Sequence, residues 1–262
     1  MSIKKELIAI SAIAARDVTK LARDRGRLVA SLIFPFIFIG ALGGSLQANL
    51  GDAIGYNFMT FVVTGVLAQT LFQSTASGLI SLVEDRQNDF AQELFIAPIS
   101  RYSIILGKIL GETLVACIQI FGVFVLAAIM QIPINWMAML YSSPALLLGA
   151  LFGGAFGVMV LANLKDQRAA NQLFPFLIFP QFFLAGVFNP IKVLPLPLLV
   201  LSRIAPMTYA VDLFRSVYYA GTPEYDKVVL FPLWLNLLVV GVAFIVFLTV
   251  GTYFFVRQER DR

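Results

Sequence analysis

Runs of about 20 apolar residues recur along this chain, and they limit its fold more than any other feature. A helix needs roughly that many residues to cross a hydrocarbon core about 30 Å thick. Backbone polar groups inside such a core must pair within the protein, so only helices and closed barrels span it. Barrel strands alternate polar and apolar residues over about 10 positions, whereas these runs are continuously apolar. The pattern predicts an all-α integral membrane protein of one domain, with six transmembrane helices at about 28–46, 58–83, 104–130, 137–163, 169–187 and 228–256. Composition agrees. Of 262 residues 59% are hydrophobic and 13% charged, against about half and about a quarter in a soluble domain.

Basic residues set the orientation. Seven Lys or Arg precede the first span, three lie at 84–108, two at 164–168 and three in the C-terminal tail. The alternate connections hold only Lys192, Arg203, Arg215 and Lys227. Cytoplasmic loops carry the excess of Lys and Arg, so both termini are expected in the cytoplasm. The formal charge of +4 then reports topology, with no need for a nucleic-acid partner.

Three stretches outside the spans carry information. In 1–27, Leu7, Ile10, Ala14, Val18 and Leu21 recur at helical spacing with Arg16, Lys20 and Arg23 elsewhere, predicting an amphipathic interface helix on the membrane. Lys4 and Lys5 ahead of an apolar stretch also fit a signal peptide, but Ser11 interrupts that stretch. The connection at 84–101 is longer than a turn requires. Phe90, Leu94 and Phe95 among Asp89, Gln92 and Glu93 fit a short amphipathic helix ended by Pro98, and equally a solvated loop. The external segment 188–227 keeps apolar pieces but is broken by Pro190, Pro195, Pro197, Pro206 and Pro223. It is expected to form short re-entrant helices, because irregular backbone at membrane depth must be buried in protein or line a cavity. A further crossing there would reverse the tail, against Arg257, Arg260 and Arg262.

Chemistry is sparsely supplied. There is no histidine and one cysteine, Cys117, so hydrolytic or metal-dependent catalysis lacks its usual parts and no metal or catalytic residues are assigned. No phosphate-binding G-x-x-x-x-G-K-[ST] occurs; if ATP drives this protein, another chain binds it. Glu112 stands four residues after Lys108, which predicts a pair on one helix face. Gln69, Gln73 and Gln119 fit either hydrogen bonds across helices or a substrate path. Phe174, Phe176, Phe179, Phe182 and Phe183 fit such a path, or equally packing and a lipid-facing surface. Gly149, Gly153 and Gly157 recur every fourth residue and allow close helix approach, within or between subunits.

Two stretches resemble a known family. Leu94-Phe-Ile-Ala-Pro-Ile-Ser-Arg-Tyr-Ser-Ile-Ile-Leu-Gly-Lys-Ile-Leu110 is similar to the segment after the second span of type-2 ATP-binding-cassette (ABC) exporter permeases. Phe183-Leu-Ala-Gly-Val-Phe-Asn-Pro-Ile-Lys-Val-Leu-Pro195 and Ala205-Pro-Met-Thr-Tyr-Ala-Val-Asp-Leu-Phe-Arg215 look like its fifth-span end and later Pro-x-Thr-Tyr element. The resemblance covers nearly the whole chain and lies nearest the daunorubicin-resistance branch, although Asn189 replaces a commonly apolar residue. It implies a non-enzymatic inner-membrane permease, expected to work as a homodimer with two copies of a separate ATPase that carries the ATP and Mg. It further implies that the cytoplasmic helix couples to that ATPase. Phe90, Leu94 and Phe95 would anchor it, and Arg86, Asp89, Glu93 and Arg101 would supply polar contacts. The implied substrate is lipophilic or amphiphilic, drug-like as in multidrug export, or a lipid. Alternatives are a lipid-linked saccharide and, in another class, a nucleotide-independent scaffold or enzyme.

Overall fold

A computed structural model describes residues 3–23, 25–48, 55–87, 100–162, 164 and 166–260. Regular structure in them is helical throughout. In chain order the helices are α1 (Ile3–Arg23), α2 (Arg25–Ile37) with a π-helical continuation at Phe38–Gly43, α3 (Phe58–Gly78) and α4 (Ile80–Gln87). There follow α5 (Arg101–Ile129), α6 (Trp136–Leu161), α7 (Gln167–Leu184), α8 (Leu196–Ile204), α9 (Pro206–Tyr218), the single turn α10 (Tyr225–Val228) and α11 (Leu233–Arg260).

Among the described residues four helices are long and apolar enough to cross a membrane: Phe58–Asp85, which joins α3 to α4, and α5, α6 and α11. The chain is therefore a multi-pass membrane protein. The other two expected spans are helical but fall short of that measure. At 28–46 the apolar stretch covers only 33–48, and α7 carries Gln167, Arg168, Asn171, Gln172 and Gln181. In the segment expected to be external, α8 and α9 are bent by 84° at Ala205. Ala205 is extended, as the residue before a proline tends to be, and Pro206 takes the first helical position of α9.

Local chemistry sets the helix starts. Asn57 Oδ1 accepts from Thr60 N at 2.9 Å, Ser100 Oγ from Ser103 N at 3.0 Å, Asn135 Oδ1 from Ala138 N at 3.0 Å and Asp166 Oδ1 from Ala169 N at 2.6 Å. Each satisfies one of the amides that a helix leaves open at its N-terminus.

The core forms around α3, whose sides are nearly all buried, as expected of a helix apolar all round. α6 crosses it closely. A Cβ on Gly153 would collide with the Phe72 backbone, and one on Gly157 would lie 2.5 Å from Ala76 O. Gly149 faces Ala210 of α9 at an ordinary 3.6 Å. These glycines thus serve packing within one chain. Most of α11 faces outward, with Leu238, Val242 and Ile245 more than half exposed.

The N-terminal helix packs lengthwise on α5 and runs in the same direction. Glu6 meets the start of α5 at Ser100; a Cβ on Gly107 would lie 3.2 Å from Ile10 Cα, and one on Gly111 3.0 Å from Ala14 Cα. Ala14 and Leu21 are buried, as the expected stripe requires, but Leu7 is exposed and Asp17 takes a buried place on the stripe.

Candidate functional site

Among the described residues three polar constellations interrupt this apolar protein, and the first lines an open cleft. Midway along α3, Gln69, Thr70, Gln73 and Ser74 line a partly open cleft of about 440 Å³. Phe34 and Pro35 of α2, Gln119 of α5, and Phe179 and Phe182 of α7 close it. Pro35 removes an N–H from the ladder of α2, and three residues later the helix loosens into its π-helical stretch. Such stretches are frequent at functional sites.

Gln69 is almost fully buried, and its Nε2 donates to Gln73 Oε1 at 2.8 Å. Its own Oε1, like the Ser74 hydroxyl, is buried without a hydrogen-bond partner. A group left so costs about 1–3 kcal/mol. Ring faces stand opposite: Phe34 lies 5.2 Å from Phe182, and Phe179 lies 6.0 Å from Phe182. No charged side chain lines the cleft among the described residues. The structure thus brings Gln69, Gln73, Gln119 and Phe179 together. Phe183 packs against Phe179 at 5.6 Å but stands outside the lining.

The second constellation lies where α1, α4 and α5 meet. Lys108 Nζ donates to Asp17 Oδ1 at 2.8 Å and to Asp85 Oδ2 at 3.4 Å, and Arg16 also pairs with Asp85. This corrects the expected Lys108–Glu112 pair. Glu112 is buried elsewhere, against Gly78, where any Cβ would collide with its carboxylate. Lys108 turns away because two aspartates from other helices offer a fully enclosed ammonium more charge than one neighbour on its own helix.

At the start of α5, both Glu6 carboxylate oxygens accept from Ser100 N at 3.2 Å. The Ser103 hydroxyl foremost, with the Ser100 amide and hydroxyl assisting, holds the Glu6 carboxyl below its ordinary range. One helix, α1, therefore grips both flanks of the 88–99 connection. Of the expected coupling residues, Arg86 sits in α4 and Arg101 opens α5. Asp89, Phe90, Glu93, Leu94 and Phe95 lie outside the described residues.

The third constellation pins the bent segment. Arg215, buried, donates to Gly186 O at 2.7 Å and Phe61 O at 2.8 Å, with its guanidinium 3.7 Å over the Phe61 ring. Asp212 accepts from Leu230 N, Phe231 N and Asn236 Nδ2 at 2.7–2.8 Å. Thr208 donates to Ser202 O at 2.6 Å, and Gln181 Oε1 accepts from Met207 N at 3.1 Å. The 206–215 motif is thereby spent on holding α9 to α3, α7, α8 and the start of α11.

Asp17 and Asp85, central to the ion cluster, were missed by sequence reasoning, as were Ser74 and Phe34 of the cleft, whereas Phe182 was among the fifth-span phenylalanines it singled out. A signal for Asp17 existed, because it shares helical spacing with Ile10, Ala14 and Leu21. Nothing in the sequence marked the others.

The model of the ABC-2 type transporter family matches residues 8–219, which include the cleft, the ion cluster and both arms of the bent segment. The chain belongs to that family. Curated relatives agree along most of its length. Nodulation protein J of Rhizobium leguminosarum bv. trifolii is 23% identical over 201 residues, 76% of each chain. The inner membrane transport permease YadH of Escherichia coli K12 is 24% identical over 214 residues, 79% of this chain and 82% of the relative. The putative transport permease ycf38 of Cyanophora paradoxa is 23% identical over 207 residues, 76% and 70% of the two chains. This ABC-2 permease is thus a transport protein.

Proposed function

We propose that the chain is the membrane subunit of an ATP-driven exporter, working as a homodimer with two copies of a separate ATPase and moving a lipophilic or amphiphilic substrate outward. The observation that carries this reading is the cleft midway along α3 and α5. It combines aromatic faces with neutral hydrogen-bonding groups at membrane depth, and pockets of this size with a few polar groups are ordinary ligand sites. In this reading α2 with its π-helical continuation and α7 complete six spans in the inner membrane, the α8–α9 pair lies outside, and both termini are cytoplasmic.

ATP and Mg would bind the partner, since the sequence has no phosphate-binding loop. Closure of the ATPase pair would push on the connection between α4 and α5, with Phe90, Leu94 and Phe95 as apolar anchors and Asp89, Glu93 and Arg101 as polar contacts. The ion cluster of Lys108 and the Glu6 contact, one on each flank, would pass that push to α1, α3 and α5.

Co-purification with an ATPase encoded beside the gene, followed by ATP hydrolysis in lipid, tests the proposal. A stable complex that loses association and activity on Phe90→Ala with Glu93→Arg is the expected result. No complex with any cellular ATPase would overturn it in favour of a nucleotide-independent scaffold or enzyme. The neutral amide lining supports a second reading, export of a lipid-linked saccharide. Stimulation of the ATPase by glycolipids but not by drug-like amphiphiles would select it.

A further inference from the structure

The cleft's polar atoms specify more than the presence of a substrate. Gln69 is an amide with one end occupied. Its N–H donates to Gln73, so the carbonyl is left as an enclosed acceptor that needs an O–H or N–H donor. Ser74, about 1.4 turns along the same helix, presents an enclosed hydroxyl able to donate and accept. Among the buried side-chain polar atoms without a protein partner, these two belong to residues that line the cleft.

Charge balance narrows the partner. A carboxylate, phosphate or sulfate brought to this depth would need a cation, and no charged side chain lines the cleft among the described residues. A quaternary ammonium would find aromatic faces in Phe34, Phe179 and Phe182, but it has no N–H for the Gln69 carbonyl. A neutral hydroxyl-bearing ring meets every demand, since its O–H groups pair with Gln69 and Ser74 while its C–H face lies on the phenylalanines.

We infer that the cleft recognises the uncharged, hydroxyl-bearing headgroup of an amphiphile, through Gln69 Oε1 and the Ser74 hydroxyl, and discriminates against charged headgroups. The inference rests on the reading of the cleft as the substrate site, and it names the substrate class.

Equilibrium binding to the full chain in lipid nanodiscs, corrected for empty discs, decides it with three radiolabelled probes of one chain length: decyl glucoside, decyltrimethylammonium and decyl sulfate. The expected result is saturable binding of the glucoside at an affinity at least ~10-fold above either charged probe, because charge at such a site is penalised while each hydrogen bond is retained. Gln69→Leu with Ser74→Ala should weaken glucoside binding ~10-fold or more, by the loss of two hydrogen bonds. Gln69→Glu should reverse the order toward decyltrimethylammonium, a gain that misfolding does not produce.

Equal binding of the three probes, absence of saturable glucoside binding, or full binding by a folded Leu/Ala variant would each overturn the inference. Failure of the exporter reading is separable. Selective binding without any ATPase complex sinks the exporter alone, whereas a complex without headgroup selectivity sinks this inference alone.

Discussion

A cation enclosed in a membrane protein persists only when its donors have partners, and Arg215 meets that condition mainly with backbone carbonyls. Arg215→Met is expected to leave the Gly186 and Phe61 carbonyls unpaired and to destabilise the protein by about 3 kcal/mol or more. Arg215→Lys should recover little, because a point charge cannot reproduce the planar fork. Thermal unfolding in detergent measures both. Lys108 differs, since its partners are acids. Lys108→Met alone should cost about 3 kcal/mol by leaving buried Asp17 with Arg16 Nε at 3.7 Å in place of its 2.8 Å partner, and Lys108→Met with Asp17→Leu should be milder, because the buried charge leaves with its partner. A double-mutant cycle on the unfolding midpoint tests the sign. A result in which the double variant is the worse would refute the stranding argument. Glu6 gives a pH dependence. Its carboxyl is held below its ordinary range in the fold, so its contribution is present above the unfolded-state pKa and is lost as pH falls through the folded one. Hydrogen exchange at the first amides of α5 should quicken over that acid window in wild type and show no such step in Glu6→Gln. Of these residues, the sequence marked Lys108 and Glu112 as costly but paired them with each other. Spacing along one helix cannot reveal partners 91 and 23 positions away.

Among elements, the glycine face of α6 makes the sharpest forecast. Gly153→Ala and Gly157→Ala each place a Cβ against backbone of α3, which cannot retreat as a side-chain end can. Each is expected to destabilise the α3–α6 pair by about 1–3 kcal/mol, while Gly149→Ala, whose Cβ would meet Ala210 in ordinary contact at 3.6 Å, should be near neutral. The fraction of each variant recovered monodisperse in detergent, alongside its unfolding midpoint, checks the order. The repeat itself was legible, since small residues every fourth position admit a close neighbour whatever that neighbour is. Which helix fills the face was not, because helix pairing is a tertiary fact. α1 shows the same division. Its amphipathic period was visible, yet its packing along α5 depends on Gly107 and Gly111 making room for Ile10 and Ala14.

For the molecule as a whole, the distribution of Lys and Arg predicts sidedness. Single cysteines at Lys5 and Arg257 in a Cys117→Ser background should react with a membrane-impermeant maleimide only from the cytoplasmic face. One at Thr222 should react only from the opposite face. Labelling of all three from one side would remove the topology. The membrane class, the helical fold and the broken segment at 188–227 were read from composition, period and proline placement, since the bilayer imposes them on any chain of this kind.

The sequence by itself determined the solvent, the helices and the absence of a phosphate loop, because those depend on residues near one another in the chain. Only the tertiary structure decided that Gln69, Gln119 and Phe179 share one cleft, that Lys108 joins Asp17 and Asp85, and that Arg215 serves as a brace. Each of these depends on which helix faces which, and in a uniformly apolar chain many pairings bury similar surface. The choice among them falls to close-fitting glycines and a few buried polar groups that must find one another.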